Sequence, residues 1–184
     1  MAQKGFYFDM TACVGCKTCQ IACKDKNDNP IGVNFRLVHT FEGGHFPKPW
    51  IYFLSVACNH CENPKCVQNC PTGATTKRAE DGLVVIDQDA CIGCQYCVWS
   101  CPYGARHFIE EKNVVGKCNG CVDLTAEGGM PACVDACVMR ALEFGDIEEL
   151  KAKHPGAVQV CAGLPGAELT GPSLLVSPKA EARK

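Results

Sequence analysis

The chain has 184 residues, with 18 Lys and Arg against 20 Asp and Glu, and 17 cysteines. That length suffices for one domain or two small ones. The formal charge of −2 gives no basic surface for nucleic acid, and no apolar run reaches the ~20 residues that a membrane span needs. Cysteine usage so far above the ordinary means disulfides, zinc or iron–sulfur clusters.

In chain order, the N-terminus has no apolar signal-peptide core and no twin arginine. Alone, the chain is expected to be soluble and to stay where it is made, unless it is exported with a partner. Residues 6–9 (FYFD) predict a short strand that leads into a first cysteine set, Cys13, Cys16, Cys19 and Cys23. A short helix is expected from about Cys19 to Lys26, broken at Asn27–Pro30. Residues 31–57 are strand-like, as VNFRLVHTF and WIYFLSVA around the turn residues Gly43, Gly44, Pro47 and Pro49. The second set is Cys58, Cys61, Cys66 and Cys70, with a four-residue middle gap. Asp81–Gly82 marks a turn and LVVID a strand. The third set is Cys91, Cys94, Cys97 and Cys101, followed by Pro102. The fourth is Cys118, Cys121, Cys133 and Cys137, with an eleven-residue middle gap. Asp146 is placed to cap a two-turn helix ending before Pro155. Residues 156–184, rich in Gly, Pro and small residues, predict an extended tail that needs a partner to hold it.

The third set, CIGCQYCVWSCP, has the cadence C-x2-C-x2-C-x3-C-P of bacterial ferredoxins, which hold [4Fe–4S] clusters. Two-residue gaps let three thiolates converge on one cluster. The fourth cysteine, three residues on, is carried off by a helix start to another cluster. The cadence occurs four times, an internal repeat. Sets two and three are 20 residues apart, like the halves of one ferredoxin. Sets one and four are left to form a second unit around the first. Four clusters, each near −2 with its thiolates, would bring the chain to about −10.

Zinc sites take two C-x2-C pairs rather than four-cysteine runs, and an odd cysteine count without a signal peptide disfavours disulfides. Cys161 lies outside every set and reads as a small buried apolar residue. His60, inside CNHC, reads as a supporting side chain rather than a ligand, since its set already has four thiols. Trp99 is expected to pack over a cluster. Lys17, Lys24, Lys65, Arg106 and Lys117 stand near cysteines. Cations there raise a cluster's potential, although solvated side chains are the simpler reading. No nucleophile–base pair, phosphate loop or GxGxxG is present, so no catalytic residue and no small-molecule substrate site is expected.

The stretches GFYFDMTACVGCKTCQIACKD, SVACNHCENPKCVQNCPTGA, DGLVVIDQDACIGCQYCVWSCPYGA, KCNGC and ALEFGDIEELKAKH cover roughly residues 4–154. They resemble the iron–sulfur subunits of molybdopterin oxidoreductases of the dimethyl sulfoxide reductase family. The resemblance implies an α+β fold of two nested ferredoxin-like dicluster units with long irregular loops. The outer unit would be residues 1–48 plus 112–155, the inner unit 49–111, with 156–184 as the tail. It implies four [4Fe–4S] clusters with crosswise ligands. The first would take Cys13, Cys16, Cys19 and Cys137, and the second Cys118, Cys121, Cys133 and Cys23. The third would take Cys58, Cys61, Cys66 and Cys101, and the fourth Cys91, Cys94, Cys97 and Cys70.

Val138 stands where many relatives have Pro. Cys94 stands where some nitrate-reductase relatives have Trp and a three-iron cluster. The implied role is a non-catalytic electron relay between a large molybdopterin catalytic subunit and a membrane anchor that handles quinol. The fourth cluster would lie at the quinol end. Such a complex is peripheral to the cytoplasmic membrane, and co-export could place it on the outer face, while the cytoplasm is equally compatible. The competing readings are a free-standing polyferredoxin and a zinc-binding interaction module.

Overall fold

The structure is a computed structural model that describes residues 2–183. It contains nine strands and six short helices among those residues. Strand β1 (Lys4–Asp9) and helix α1 (Thr18–Lys26) come first, then the hairpin β2 (Leu37–His45) and β3 (Lys48–Val56). Helix α2 (Lys65–Gln68) and strands β4 (Thr75–Lys77) and β5 (Val84–Ile86) follow. After α3 (Tyr96–Trp99) come β6 (His107–Ile109) and β7 (Val114–Gly116). Helices α4 (Val122–Ala126) and α5 (Ala132–Asp135), strand β8 (Leu142–Asp146), helix α6 (Ile147–Lys153) and strand β9 (Leu174–Ser177) complete the order. Small sheets and short helices of this kind make the fold class α+β.

Strand β1 is the centre of the only three-stranded sheet among the described residues, ordered β8-β1-β9. It pairs antiparallel with β8, bringing Phe6 opposite Phe144, with ring centroids 4.9 Å apart. The chain's first strand is thereby joined to the segment that follows the fourth cysteine set. The sheet's two faces are both covered. Phe6, Phe8, Leu142, Leu174 and Val176 enter the main core, while Tyr7 and Leu175 pack with Ile147 and Leu150. Between these ends of the chain, β4 pairs with β5 and β6 with β7, each antiparallel. Each two-stranded ribbon links one cysteine set to the next.

The tail departs from expectation. Residues 174–177 form β9 and pair in parallel with β1, with Leu174, Leu175 and Val176 buried. Ser173 N–H donates to Asn59 O, and Glu62 and Asn63 N–H donate to Gly171 and Thr170 carbonyls. The extended, partner-dependent tail is therefore corrected: this chain itself holds the segment. Its apolar run, Leu174 to Val176, is too short for a period to be read. Its partner strand lies at the other end of the sequence, so no local signal announces the pairing.

The hairpin also differs in detail. Gly43, Gly44 and Pro49 lie inside β2 and β3, and the turn itself is Phe46–Pro47, joined by a cis peptide bond. Residues 31–36 lie in turns ahead of the strand. The α6 cap is as expected. The Asp146 carboxylate accepts from Glu148 N–H at 2.9 Å and Glu149 N–H at 3.4 Å, satisfying two otherwise orphan donors.

Candidate functional site

The four cysteine sets share one local construction. The residue before the second cysteine has a left-handed backbone in every set: Gly15 (φ 71°), His60 (φ 43°), Gly93 (φ 67°) and Gly120 (φ 75°). Positive φ turns the chain tightly enough for the first two thiols to point the same way, and glycine adopts it without penalty. A side chain there costs about 1–2 kcal/mol, so His60 needs compensation. The third cysteine of each set lies in the opening of a short helix, at Cys19, Cys66, Cys97 and Cys133. The fourth lies just past that helix's end at Cys70, Cys101 and Cys137, and within α1 itself at Cys23.

Sixteen cysteines accordingly gather in four groups that mix the sets. Cys13, Cys16, Cys19 and Cys137 line one cavity. Cys70, Cys91, Cys94 and Cys97 line another. Cys23 lies near Cys133 and Cys121, and Cys118 lies near Cys23, Cys133 and, from the neighbouring group, Cys58. Cys61 faces Cys58, Cys66 and Cys101. Cys161 is fully buried and outside all four groups.

Main-chain and hydroxyl donors point at the sulfurs. The N–H groups of Thr75, Val115, Gly120 and Ala141 donate to Cys70, Cys91, Cys118 and Cys137 at 3.3–3.5 Å. Thr18 Oγ1 donates to Cys16 at 3.4 Å, and Thr170 Oγ1 to Cys61 at 3.2 Å.

The buried thiols resist ionisation. Burial pushes Cys23 up to about 12 and Cys61 up to about 11, with like-charged neighbours adding to both. Burial drives Cys118 higher still. Exposed Cys16 goes down, because Thr18 donates to it. Burial would raise Cys70, but donors from Thr75 and Thr72 outweigh it and lower the thiol. Thiols so placed become thiolates by exchanging their protons for metal, which couples loading to folding.

The donor sets fit iron–sulfur clusters. All four groups are soft thiols, with main-chain N–H groups directed at sulfur in three of them and the Thr170 hydroxyl in the group of Cys61. Among the described residues, no three His, Cys, Asp or Glu side chains converge closely enough to hold a single ion.

The candidate cations divide. Lys17 and Lys65 are exposed, and Lys24 donates to the carbonyls of Asn29, Pro30 and Val33, pinning the loop after α1. Arg106 and Lys117 are buried. Lys117 donates to the carbonyls of Val84 and Cys118. Sequence reasoning passed over Arg36, which is 2% exposed and faces Cys133, Cys118, Cys19 and Cys23. The available signal was a lone arginine in the apolar run VNFRLV. His60 is fully buried. Its Nδ1 accepts from Val84 N–H at 3.0 Å, and its Nε2 stands 3.9 Å from Cys118 Sγ. The proton therefore belongs on Nε2, directed at the sulfur. Burial, with Lys117, Lys77 and Arg106 nearby, holds this imidazole well below its usual range, hence neutral. Trp99 does not pack as expected. It is 71% exposed, with Tyr96 as its ring neighbour at 5.7 Å.

Comparison with known proteins supports [4Fe–4S] binding. Residues 49–147 match the family model described as a 4Fe-4S dicluster domain. The chain is 47% identical to a component of the anaerobic dimethyl sulfoxide reductase of Escherichia coli, over 98% of this chain and 91% of the relative. It is 39% identical to a subunit of the sulfite dehydrogenase of Allochromatium vinosum, over 81% and 71%. It is 37% identical to the protein NrfC of Escherichia coli, over 79% and 66%. With its four cysteine groups and this likeness along nearly its whole length, the chain belongs to the [4Fe–4S]-binding, non-catalytic electron-transfer subunits of dimethyl sulfoxide reductase-type oxidoreductases.

Proposed function

We propose that this subunit carries four [4Fe–4S] clusters and relays electrons between a molybdopterin catalytic subunit and a membrane anchor that handles quinol. Cys13, Cys16, Cys19 and Cys137 hold the first cluster, and Cys118, Cys121, Cys133 and Cys23 the second. Cys58, Cys61, Cys66 and Cys101 hold the third, and Cys91, Cys94, Cys97 and Cys70 the fourth. Each bound cluster supplies one-electron chemistry. The protein's part is to hold the thiolates, direct N–H groups at them and keep water out. Residues 1–48 with 112–155 act as the outer dicluster unit and 49–111 as the inner one. His60 links them, since it lies between Cys58 and Cys61 of the inner unit and points at Cys118 of the outer one. That contact supports transfer between the second and third clusters.

The observation that carries the relay reading is the surface beside the first and fourth groups. Val14, Val138 (66% exposed) and Met139 flank the first. Ile92 (62% exposed), Tyr96 and Trp99 flank the fourth. Apolar rims around the two terminal redox sites suit docking partners that bring their own centres close. The first rim is assigned to the catalytic subunit and the fourth to the anchor. No helix among the described residues is long and apolar enough to cross a membrane, so the anchor supplies the span. The assembly is peripheral to the cytoplasmic membrane, and co-export on the catalytic subunit could carry it to the outer face.

The test places a charge on each rim. In complexes isolated without oxygen, Val138→Glu should weaken retention of the catalytic subunit and Trp99→Glu retention of the anchor. Iron content should be unchanged in both. Equal retention of both partners in both variants contradicts the assignment.

A further inference from the structure

Two arginines are buried where a guanidinium has no ordinary reason to be. Arg36 is 2% exposed, and its Nε and Nη2 have no hydrogen-bond partner among the described residues. Its Nη1 donates to Ser55 Oγ at 3.1 Å, and that hydroxyl lies 3.5 Å from Cys19 Sγ. Its guanidinium carbon sits 4.7 Å over the Phe6 ring. Arg106 is 3% exposed, donates to Thr75 Oγ1 at 3.3 Å, and leaves Nη2 without a partner. A guanidinium cannot shed its charge. Burying it uncompensated is strongly unfavourable, and each orphan donor adds to that cost. Something must accept these bonds.

The surroundings name the acceptor. Arg36 stands near Cys133, Cys118 and Cys23 of one group and Cys19 of another. Arg106 is faced by Cys66 and Cys58 of one group and Cys97 of another, and contacts the Cys66 and Cys97 side chains. Each arginine therefore stands between two groups, Arg36 within the outer pair and Arg106 within the inner. Each also faces more cysteines of one group than of the other.

We infer that Arg36 and Arg106 are shared counter-charges, one for each pair of clusters, whose unpaired N–H groups donate to the bound clusters and stabilise their reduced forms. The inference rests on the four-cluster reading. Each cluster gains one electron on reduction, and the net negative charge beside the guanidinium grows by one. A fixed cation there favours the reduced state. Arg36 should act most on the cluster of Cys23, Cys118, Cys121 and Cys133, and less on that of Cys19. Arg106 should act most on the cluster of Cys66, and less on that of Cys97. These are positioning residues that tune the clusters and transfer no electron themselves.

The test uses the full chain in its complex, with iron counted first and each cluster then followed by electron paramagnetic resonance through a dithionite titration. Arg36→Gln should lower the reduction equilibrium constant of the Cys118 cluster at least tenfold, about 59 mV for one electron. The Cys19 cluster should shift less, and the other two should not move. Arg106→Gln should shift the Cys66 cluster most. Arg36→Lys, which keeps the charge, should restore most of the loss. If Arg36→Gln sheds iron instead, the proposal expects loss from the outer pair alone and recovery in Arg36→Lys. Loss that lysine does not recover overturns it. Four clusters with unmoved potentials in both Gln variants overturn this inference alone. Fewer than four clusters in the unaltered chain overturn the reading beneath it, and this inference with it.

Discussion

Thr170 donates its hydroxyl hydrogen to Cys61 Sγ at 3.2 Å, across 109 residues of sequence. With that proton committed, Tyr103, whose hydroxyl lies 3.1 Å from Thr170 Oγ1, is the donor in their own bond. The C-terminal segment thus reaches a cysteine of the second set and takes part in its electrostatics. Thr170 is buried, as a hydroxyl with such a partner should be.

Thr170→Val keeps the shape and removes the donor. A hydrogen bond to sulfur stabilises the reduced, more negative cluster more than the oxidised one. The expected result is a fully loaded protein in which the Cys61 cluster alone moves to lower potential, by on the order of tens of millivolts. Redox titration checks this, and an unmoved potential would show that the hydroxyl only packs.

The strand that follows Thr170 is itself a stability element. Leu175 is 2% exposed, between Tyr7, Ile147 and Leu150. Leu175→Ala should cost about 2–5 kcal/mol, read from anaerobic denaturant unfolding. Deleting residues 173–184 removes β9 from the sheet's edge and should release iron. A truncated chain that keeps its iron would show that the sheet holds without it.

His60 occupies a left-handed position that the other three sets give to glycine. His60→Gly should therefore suit the backbone and relieve about 1–2 kcal/mol of strain, while removing the Nε2 proton from Cys118. Iron should be retained. The cluster that includes Cys118 should fall in potential and lose a hyperfine coupling to one exchangeable proton. A coupling that persists in the glycine variant would sink this role for the imidazole.

Cys137 lines a cavity with Cys13, Cys16 and Cys19, although 114 residues separate it from Cys23, the last cysteine of the first set. A serine alkoxide is a poor replacement for a soft thiolate. Cys137→Ser should disturb the cluster of Cys13, Cys16 and Cys19 more than that of Cys118, Cys121 and Cys133. Spectra in which only the latter changes would exclude crosswise ligation.

What could be read from the sequence followed from spacing over short range. The cysteine cadence, the strand at 6–9, the helix through Cys23 and the cap at Asp146 each depend on residues within a few positions, where local geometry decides. Arg36, Thr170 and β9 could not be read so. Arg36 lies 13 residues from the nearest cysteine, and a lone arginine looks the same whether solvated or buried. Thr170 and Leu175 sit in a glycine- and proline-rich stretch whose composition suggests a loose tail. Their places depend on β1, at the far end of the chain. Trp99 departs from expectation for a different reason. Its four-residue helix is too short to define a buried face, and the ring turns outward beside Tyr96.

Iron and acid-labile sulfide per chain, with Mössbauer spectra of the protein isolated without oxygen, test the central claim of four [4Fe–4S] clusters most directly. Sixteen cysteines in four groups predict about 16 iron and 16 sulfide per chain, all in cubane sites. About 8 iron per chain in a fully folded protein, or metal bound without sulfide, would contradict it.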